Sequence, residues 1–127
     1  MATILARKLF SRRVEITGGA AISLGALMRA APAVTGTSQW GKNADGSPSM
    51  DSFEGNGGSI IPVADTVYFG FDDNVADADA AGTYTGVPAT AGQPFTLSSF
   101  CRGIVDADAI YLYSPNTQDL DIVFEGF

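Results

Sequence analysis

Short segments in which apolar and polar residues alternate are the feature that most restricts how this chain can fold. Alternation gives a strand one buried and one exposed face, so the apolar members of these segments predict the core. The predicted core residues are Val67, Phe69, Phe71, Ile110, Leu112, Leu120, Ile122 and Phe124. We count about seven short strands separated by turn signals, which predicts an all-β, β-sandwich or jelly-roll-like domain.

Length and composition agree with one packed domain. The chain has 127 residues, of which 46% are hydrophobic, and its 15 glycines favour turns over long helices. We predict an extended N-terminal arm over residues 1–11 and a β-sandwich domain over residues 12–127. A stretch at residues 35–58 is predicted to be a long loop insertion, because it is polar and rich in glycine. Long loops are uncommon in small domains unless they have a role.

The segment after the arm is predicted to form a hairpin. Arg12–Thr17 alternates, Gly18 and Gly19 are a two-residue turn signal, and Ala20–Met28 alternates again. A helix through this second stretch is the alternative, but adjacent glycines near its start cost about 1 kcal/mol each. We therefore favour a hairpin whose second strand places Ile22, Leu24, Ala26 and Met28 on one face.

The same segment also resembles a twin-arginine export signal. Arg12 and Arg13 precede an apolar stretch and the small-residue sequence Ala31-Pro32-Ala33. Glu15 stands where that pattern requires an apolar residue, and glycines interrupt the apolar stretch, so a hairpin is the better interpretation. No apolar run reaches the roughly 18 residues of a membrane span.

Three further strand regions follow from alternation and turn signals. Ser59–Phe71 predicts two strands joined by a turn, and Phe95–Leu97 predicts a short one. The closing segments Ala109–Ser114 and Leu120–Glu125 are predicted to form a hairpin around Ser114–Thr117.

Charge is divided unevenly along the chain. Residues 1–42 hold six basic residues against Glu15 alone, whereas the remainder holds thirteen carboxylates against Arg102, for a net charge of -7. This division indicates either a solvated acidic domain that merely carries a basic leader, or a basic leader that docks on an acidic neighbour, another copy of the chain included. The acidic body repels nucleic acid, so no nucleic-acid partner is predicted.

The sequence offers little material for catalysis or metal binding. Histidine is absent and Cys101 is the one cysteine, which excludes a Ser-His-Asp triad and a multi-cysteine zinc site. The acidic segment 72–79 resembles a calcium loop, but its spacing does not match an EF-hand. We therefore predict a protein that is not an enzyme and has no catalytic, cofactor or metal site.

Several segments together resemble small virion proteins of tailed phages. The segments that carry the resemblance are Arg13–Ile22, Ile60–Gly70, Gly86–Pro88, Gly92–Leu97, Ala109–Ser114 and the acidic closing strand. Those proteins are β-sandwiches or jelly rolls and include head decoration, or cement, proteins. The resemblance implies a protein on the capsid surface of the virion that binds the major capsid protein or another virion protein. It also implies a homo-oligomer, either a trimer or a dimer.

The residues expected to contact such a partner are basic or aromatic. The apolar side chains of residues 1–13 need cover, either from a partner or from the chain's own core. Aromatic residues in polar loops either pin the loop to the core or anchor an interface. The expected contact residues are Arg7, Lys8, Phe10, Arg12, Arg13 and Trp40. The alternative is a carbohydrate- or receptor-binding module of a head fibre or tail. Trp40, Tyr84 or Tyr111 in a concave site beside acidic groups would favour it.

Overall fold

The computed structural model describes residues 9–30, 54–78 and 80–126. These ranges contain nine strands, two short helices and two 3₁₀ turns. The strands are β1 (Leu9–Ile16), β2 (Ile22–Ser23), β3 (Glu54–Pro62), β4 (Val67–Gly70), β5 (Val87–Ala89), β6 (Phe95–Thr96), β7 (Val105–Asp106), β8 (Tyr111–Tyr113) and β9 (Gln118–Gly126). The helices are α1 (Leu24–Arg29) and α2 (Leu97–Phe100), and the 3₁₀ turns are Asp73–Ala76 and Ala107–Ala109.

The strands form two antiparallel sheets. Sheet A has the order β1-β9-β3-β6, with β7 also paired to β3, and sheet B has the order β2-β8-β4-β5. Buried side chains of both sheets belong to one hydrophobic cluster. The all-β sandwich predicted from alternation is therefore confirmed.

Seven of the eight predicted core residues are buried, and Phe71 is the exception with 59% of its surface exposed. Strand β4 ends at Gly70, and Asp72 then caps the 3₁₀ turn by accepting a hydrogen bond from the Asn74 amide. Val75 of this turn is buried instead. Alternation cannot extend past a strand end, so the prediction for Phe71 is wrong.

The predicted hairpin at residues 12–28 is also wrong. β1 belongs to sheet A, whereas Ile22 and Ser23 pair with β8 in sheet B, and a helix follows directly. Ser23 caps that helix by accepting a hydrogen bond from the Ala26 amide at 3.1 Å. Leu24, Leu27 and Met28 are buried at helical spacing. The costly glycine pair lies before the helix and does not weaken it.

The closing segments do not form a hairpin either. β8 pairs with β2 and β4 in one sheet, while β9 pairs with β1 and β3 in the other. The buried Gln118 side chain accepts hydrogen bonds from the Ala64 and Asp65 amides and donates one to Ser114 Oγ at 2.9 Å. These bonds attach the start of β9 to the connection between β3 and β4. The chain passes from sheet B to sheet A between β8 and β9, and Gln118 lies at this crossing.

Two predicted boundaries shift as well. Residues 9–11 belong to β1, so the predicted limit of the arm at residue 11 falls inside a strand. Residues 54–58, predicted as the end of the polar loop, form the first half of β3, where Gly57 and Gly58 have positive φ. A Cβ at Gly58 would overlap the carbonyl oxygen of Val123 on β9, so this strand requires glycine there.

Candidate functional site

The structure places the predicted contact residues in different environments. Arg7, Lys8 and Trp40 lie outside the described residues. Phe10 is fully buried within its own chain, which corrects its prediction as a partner contact. Its neighbour in β1, Arg12, holds its guanidinium 5.6 Å from the Phe10 ring centroid.

Arg13 lies on the outer face of β1 and is exposed. Its guanidinium donates two hydrogen bonds to the Asp121 carboxylate of β9, at 2.8 and 3.0 Å. This contact holds the pKa of Asp121 below its ordinary value. The side chains of this pair are 59% and 40% exposed, so water screens their attraction. Arg13 therefore remains on a surface that a partner can reach.

An exposed apolar surface lies at the opposite side of the sandwich, where β5 and β6 are the edge strands of the described sheets. We call it the aromatic patch and define it as Phe71, Val87, Phe95, Phe100 and Ile104. Phe71, Val87 and Ile104 are 59%, 48% and 60% exposed. Large apolar side chains exposed together are a common sign of a protein-binding surface.

Ring contacts hold the aromatic patch together. Phe71 stacks on Phe100 with ring centroids 4.6 Å apart and planes 9° apart. Phe100 contacts Phe95 edge-on at 5.2 Å, and Phe95 stacks on the buried Phe69 at 4.1 Å. Successive ring contacts therefore connect the exposed Phe71 to the buried Phe69. A surface whose side chains are already ordered loses less conformational entropy when a partner binds.

Two shallow hollows open on either side of Phe100. One, of about 330 Å³, lies between Val87 and Phe95. The other, of about 400 Å³, is lined by Phe71, Ile104 and Arg102. Both hollows can accept an apolar side chain of a partner, with Phe100 as the ridge between them.

Charged and polar groups border the second hollow. Arg102 is exposed and forms no ion pair within the described ranges. Asp106 lies on the same wall and accepts a hydrogen bond from the Asp108 amide. Partial burial raises the pKa of the Cys101 thiol, which keeps it protonated and unreactive near neutral pH. The site is thus suited to contact with a protein surface and supplies no activated nucleophile.

Of the aromatic residues that would favour sugar binding, the structure describes Tyr84 and Tyr111, whereas Trp40 lies outside the described residues. Tyr84 packs against Tyr68 and Tyr113 with ring centroids at 4.7 and 5.0 Å. A hydrogen bond with Tyr84 raises the pKa of Tyr113. Neither Tyr84 nor Tyr111 lines the two hollows at the aromatic patch or a third hollow beside Glu15. The Tyr84 ring therefore packs within a cluster of three tyrosines.

Among the described residues no group of three or more acidic or cysteine side chains is positioned to hold a metal ion. Asp72 of the acidic segment caps the 3₁₀ turn, and residue 79 lies outside the described ranges. None of the helices in the described ranges has the length and apolar character needed to span a bilayer.

The sequence did not predict the aromatic patch. Phe100 and Ile104 occur in segments without alternation, where no strand face can be assigned. The available signal was the presence of large apolar residues among serines and glycines at positions 98–104. Comparison of the chain with models of protein families, with curated proteins and with solved structures finds no match.

Proposed function

We propose that this chain is a structural virion protein of a tailed phage, of the head decoration type, which binds the major capsid protein through the aromatic patch. The observation that carries the proposal is the ordered apolar surface around Phe71, Phe100 and Ile104. The virion context comes from the sequence resemblance, which the all-β sandwich fits. The proposal includes no catalytic role, consistent with a sequence that lacks histidine.

The composition of the patch supports protein binding. Aromatic residues and arginine are enriched at the centres of protein interfaces, and here Arg102 lies in the same hollow as Phe71 and Ile104. The arginine can pair with a carboxylate of the partner while the rings enter apolar contacts. A partner surface with apolar side chains beside an acidic group fits this chemistry.

The test is to isolate particles from the source of this sequence on a density gradient and quantify the chain by mass spectrometry. A decoration protein should co-sediment with the shell in a fixed ratio to the major capsid protein. Purified chain should also rebind to shells that lack it. Absence of the chain from the particles would overturn the virion proposal.

A double variant, Phe71→Ser with Ile104→Ser, tests whether the patch makes the contact. Each side chain is mostly exposed, so the fold should survive, while rebinding should weaken by about tenfold or more. Val63→Ser is the matched control, because Val63 is 42% exposed but lies outside the patch. If the double variant rebinds as well as the control, the patch is not the contact. Glycan binding unaffected by the double variant would favour the carbohydrate-binding alternative.

A further inference from the structure

The edge strands of the described sheets differ greatly in length. β1 has eight residues, whereas β2, β5, β6 and β7 have two or three each. Short edge strands offer few backbone groups to another chain, and a long one is a template for strand addition. No described strand pairs with the outer side of β1. β1 is therefore the edge best suited to pair with a further strand.

The outer face of β1 carries a charge pattern that its own sheet satisfies only in part. Arg13 lies opposite Asp121 of β9 and pairs with it. Glu15 lies opposite Asp119, so two carboxylates occupy directly opposed positions. Like charges in this arrangement destabilise a sheet. Glu15 forms no ion pair within the described ranges, and a cation arriving from the open edge would offset this repulsion.

A second copy of β1 supplies that cation. In an antiparallel pair, opposed residues must share a face, so only registers that oppose residues of equal parity are allowed. With Val14 opposite Val14 of the second copy, Arg13 of each chain lies opposite Glu15 of the other. The neighbouring allowed registers oppose Arg13 to itself or Glu15 to itself. Charge therefore selects one register.

We propose that two copies of this chain associate through β1, antiparallel and centred on Val14, so that sheet A continues across a twofold axis. The outer face then carries the row Asp121, Arg13, Glu15, Asp119, with the last two residues from the second copy. Each arginine bridges carboxylates on both sides. The inner face keeps Val14 and Ile16 against the core of their own chain.

Space beside β1 is compatible with this arrangement. A hollow of about 240 Å³ borders Glu15 and Thr17 on one side and Leu27 and Ala30 of the α1 region on the other. The helix thus leaves room next to this end of the strand. In this register Arg12–Ile16 of one β1 pairs with the same five residues of the other, a small interface, so the dimer should be weak and depend on protein concentration. The interface does not depend on the function proposed for the aromatic patch, which lies at the other side of the sandwich.

Sedimentation of the full chain over a range of concentrations tests the proposal. The wild-type chain should form a dimer. Glu15→Arg should raise the dimer dissociation constant by about tenfold or more, because Arg13 then meets an arginine in two symmetry-related pairs. Within each chain, Glu15→Arg also places an arginine opposite Asp119, so the free energy of unfolding should not fall. Glu54→Arg is the control, since it makes an equal charge change on an exposed residue of β3, and it should leave the dimer intact.

Mixing two variants tests the register. Glu15→Arg and Arg13→Glu should each fail to self-associate, but together they restore both opposed pairs and should form a heterodimer. A disulfide test needs no charge change: the register opposes Ser11 and Thr17, so a Ser11→Cys, Thr17→Cys double variant should cross-link two chains at both ends of the interface. A wild-type chain that stays monomeric at millimolar concentration, or a dimer indifferent to Glu15→Arg, would overturn the proposal.

Discussion

Replacing Phe69 by alanine tests whether β4 is oriented as the structure shows. Phe69 is fully buried, stacks on Phe95 at 4.1 Å and contacts Phe100 edge-on at 6.4 Å. Truncating a fully buried phenylalanine removes its burial and leaves a cavity, and together these cost about 3–5 kcal/mol. In a domain of this size that loss lowers the melting temperature by about 10–20 °C.

Phe71→Ala is the matched control, because it removes the same atoms two residues further along the chain. Phe71 is 59% exposed, and its main contact is the stack on Phe100 at 4.6 Å. Less than half of its surface is buried, so the free energy of unfolding should fall by only about 1 kcal/mol. The two variants therefore differ by several kcal/mol although the chemical change is identical.

Urea unfolding followed by far-ultraviolet circular dichroism measures both variants under two-state conditions. The expected result is a large fall in the transition midpoint for Phe69→Ala and a small one for Phe71→Ala, with similar slopes. Equal losses for the two variants would refute the orientation of this segment. Equal losses are also what continued alternation past Gly70 predicts, because it places both side chains on the core face.

Two further predictions concern acid stability and the glycine-rich half of β3. Two hydrogen bonds from Arg29 hold the pKa of Asp108 below its ordinary value, so the pair stabilises the fold above the ordinary carboxylate pKa and loses this contribution as pH falls through the lowered one. Asp108→Asn should therefore flatten the acid side of a plot of urea midpoint against pH. Gly58→Ala should lower the urea midpoint further than Gly92→Ala: both have positive φ, at a strain of about 1–3 kcal/mol, but only at Gly58 would a Cβ overlap a backbone atom, the Val123 carbonyl oxygen.

The strands that the sequence predicted correctly have one face wholly on the core. In β9, Leu120, Ile122 and Phe124 are buried while the residues between them are partly exposed, so alternation contains the required information. The same holds for Val14 and Ile16 of β1. Strand identity in these cases follows from local sequence, because the burial pattern repeats with a period of two.

The pairing of strands depended on contacts far apart in the sequence. Residues 22–28 satisfy alternation and also place Leu24, Leu27 and Met28 at helical spacing, and the cap at Ser23 favours the helix. From its local sequence, Gln118 is only a polar residue after a turn. Its side-chain oxygen nevertheless accepts hydrogen bonds from the backbone amides of residues 64 and 65. The Gln118 contacts could not be predicted from a local window, whereas the helix has a local signal in the Ser23 cap.

The aromatic patch and the β1 edge could not be predicted from the sequence for a related reason. Phe71, Phe100 and Ile104 are separated by almost thirty residues or by irregular segments, and only the fold brings them to one side. The self-complementary charges of β1 were visible as Arg13 and Glu15, but their meaning required knowing that β1 is an edge strand. Whether a strand lies at an edge depends on the strand order of the whole sheet, so the local sequence does not indicate it.

The two proposed surfaces have a joint consequence that follows from strand order. β1 and β2 end one side of the two described sheets, and β6 and β5 end the other. The aromatic patch contains residues of β5 and β6, so a dimer joined through β1 leaves both patches exposed at its far ends. Under the proposed function, such a dimer can bind two sites of the capsid shell at once, and the second contact forms at a high effective concentration. On that proposal the patch contacts and the dimer interface together strengthen attachment, and Glu15→Arg, which does not touch the patch, should loosen the protein from the shell.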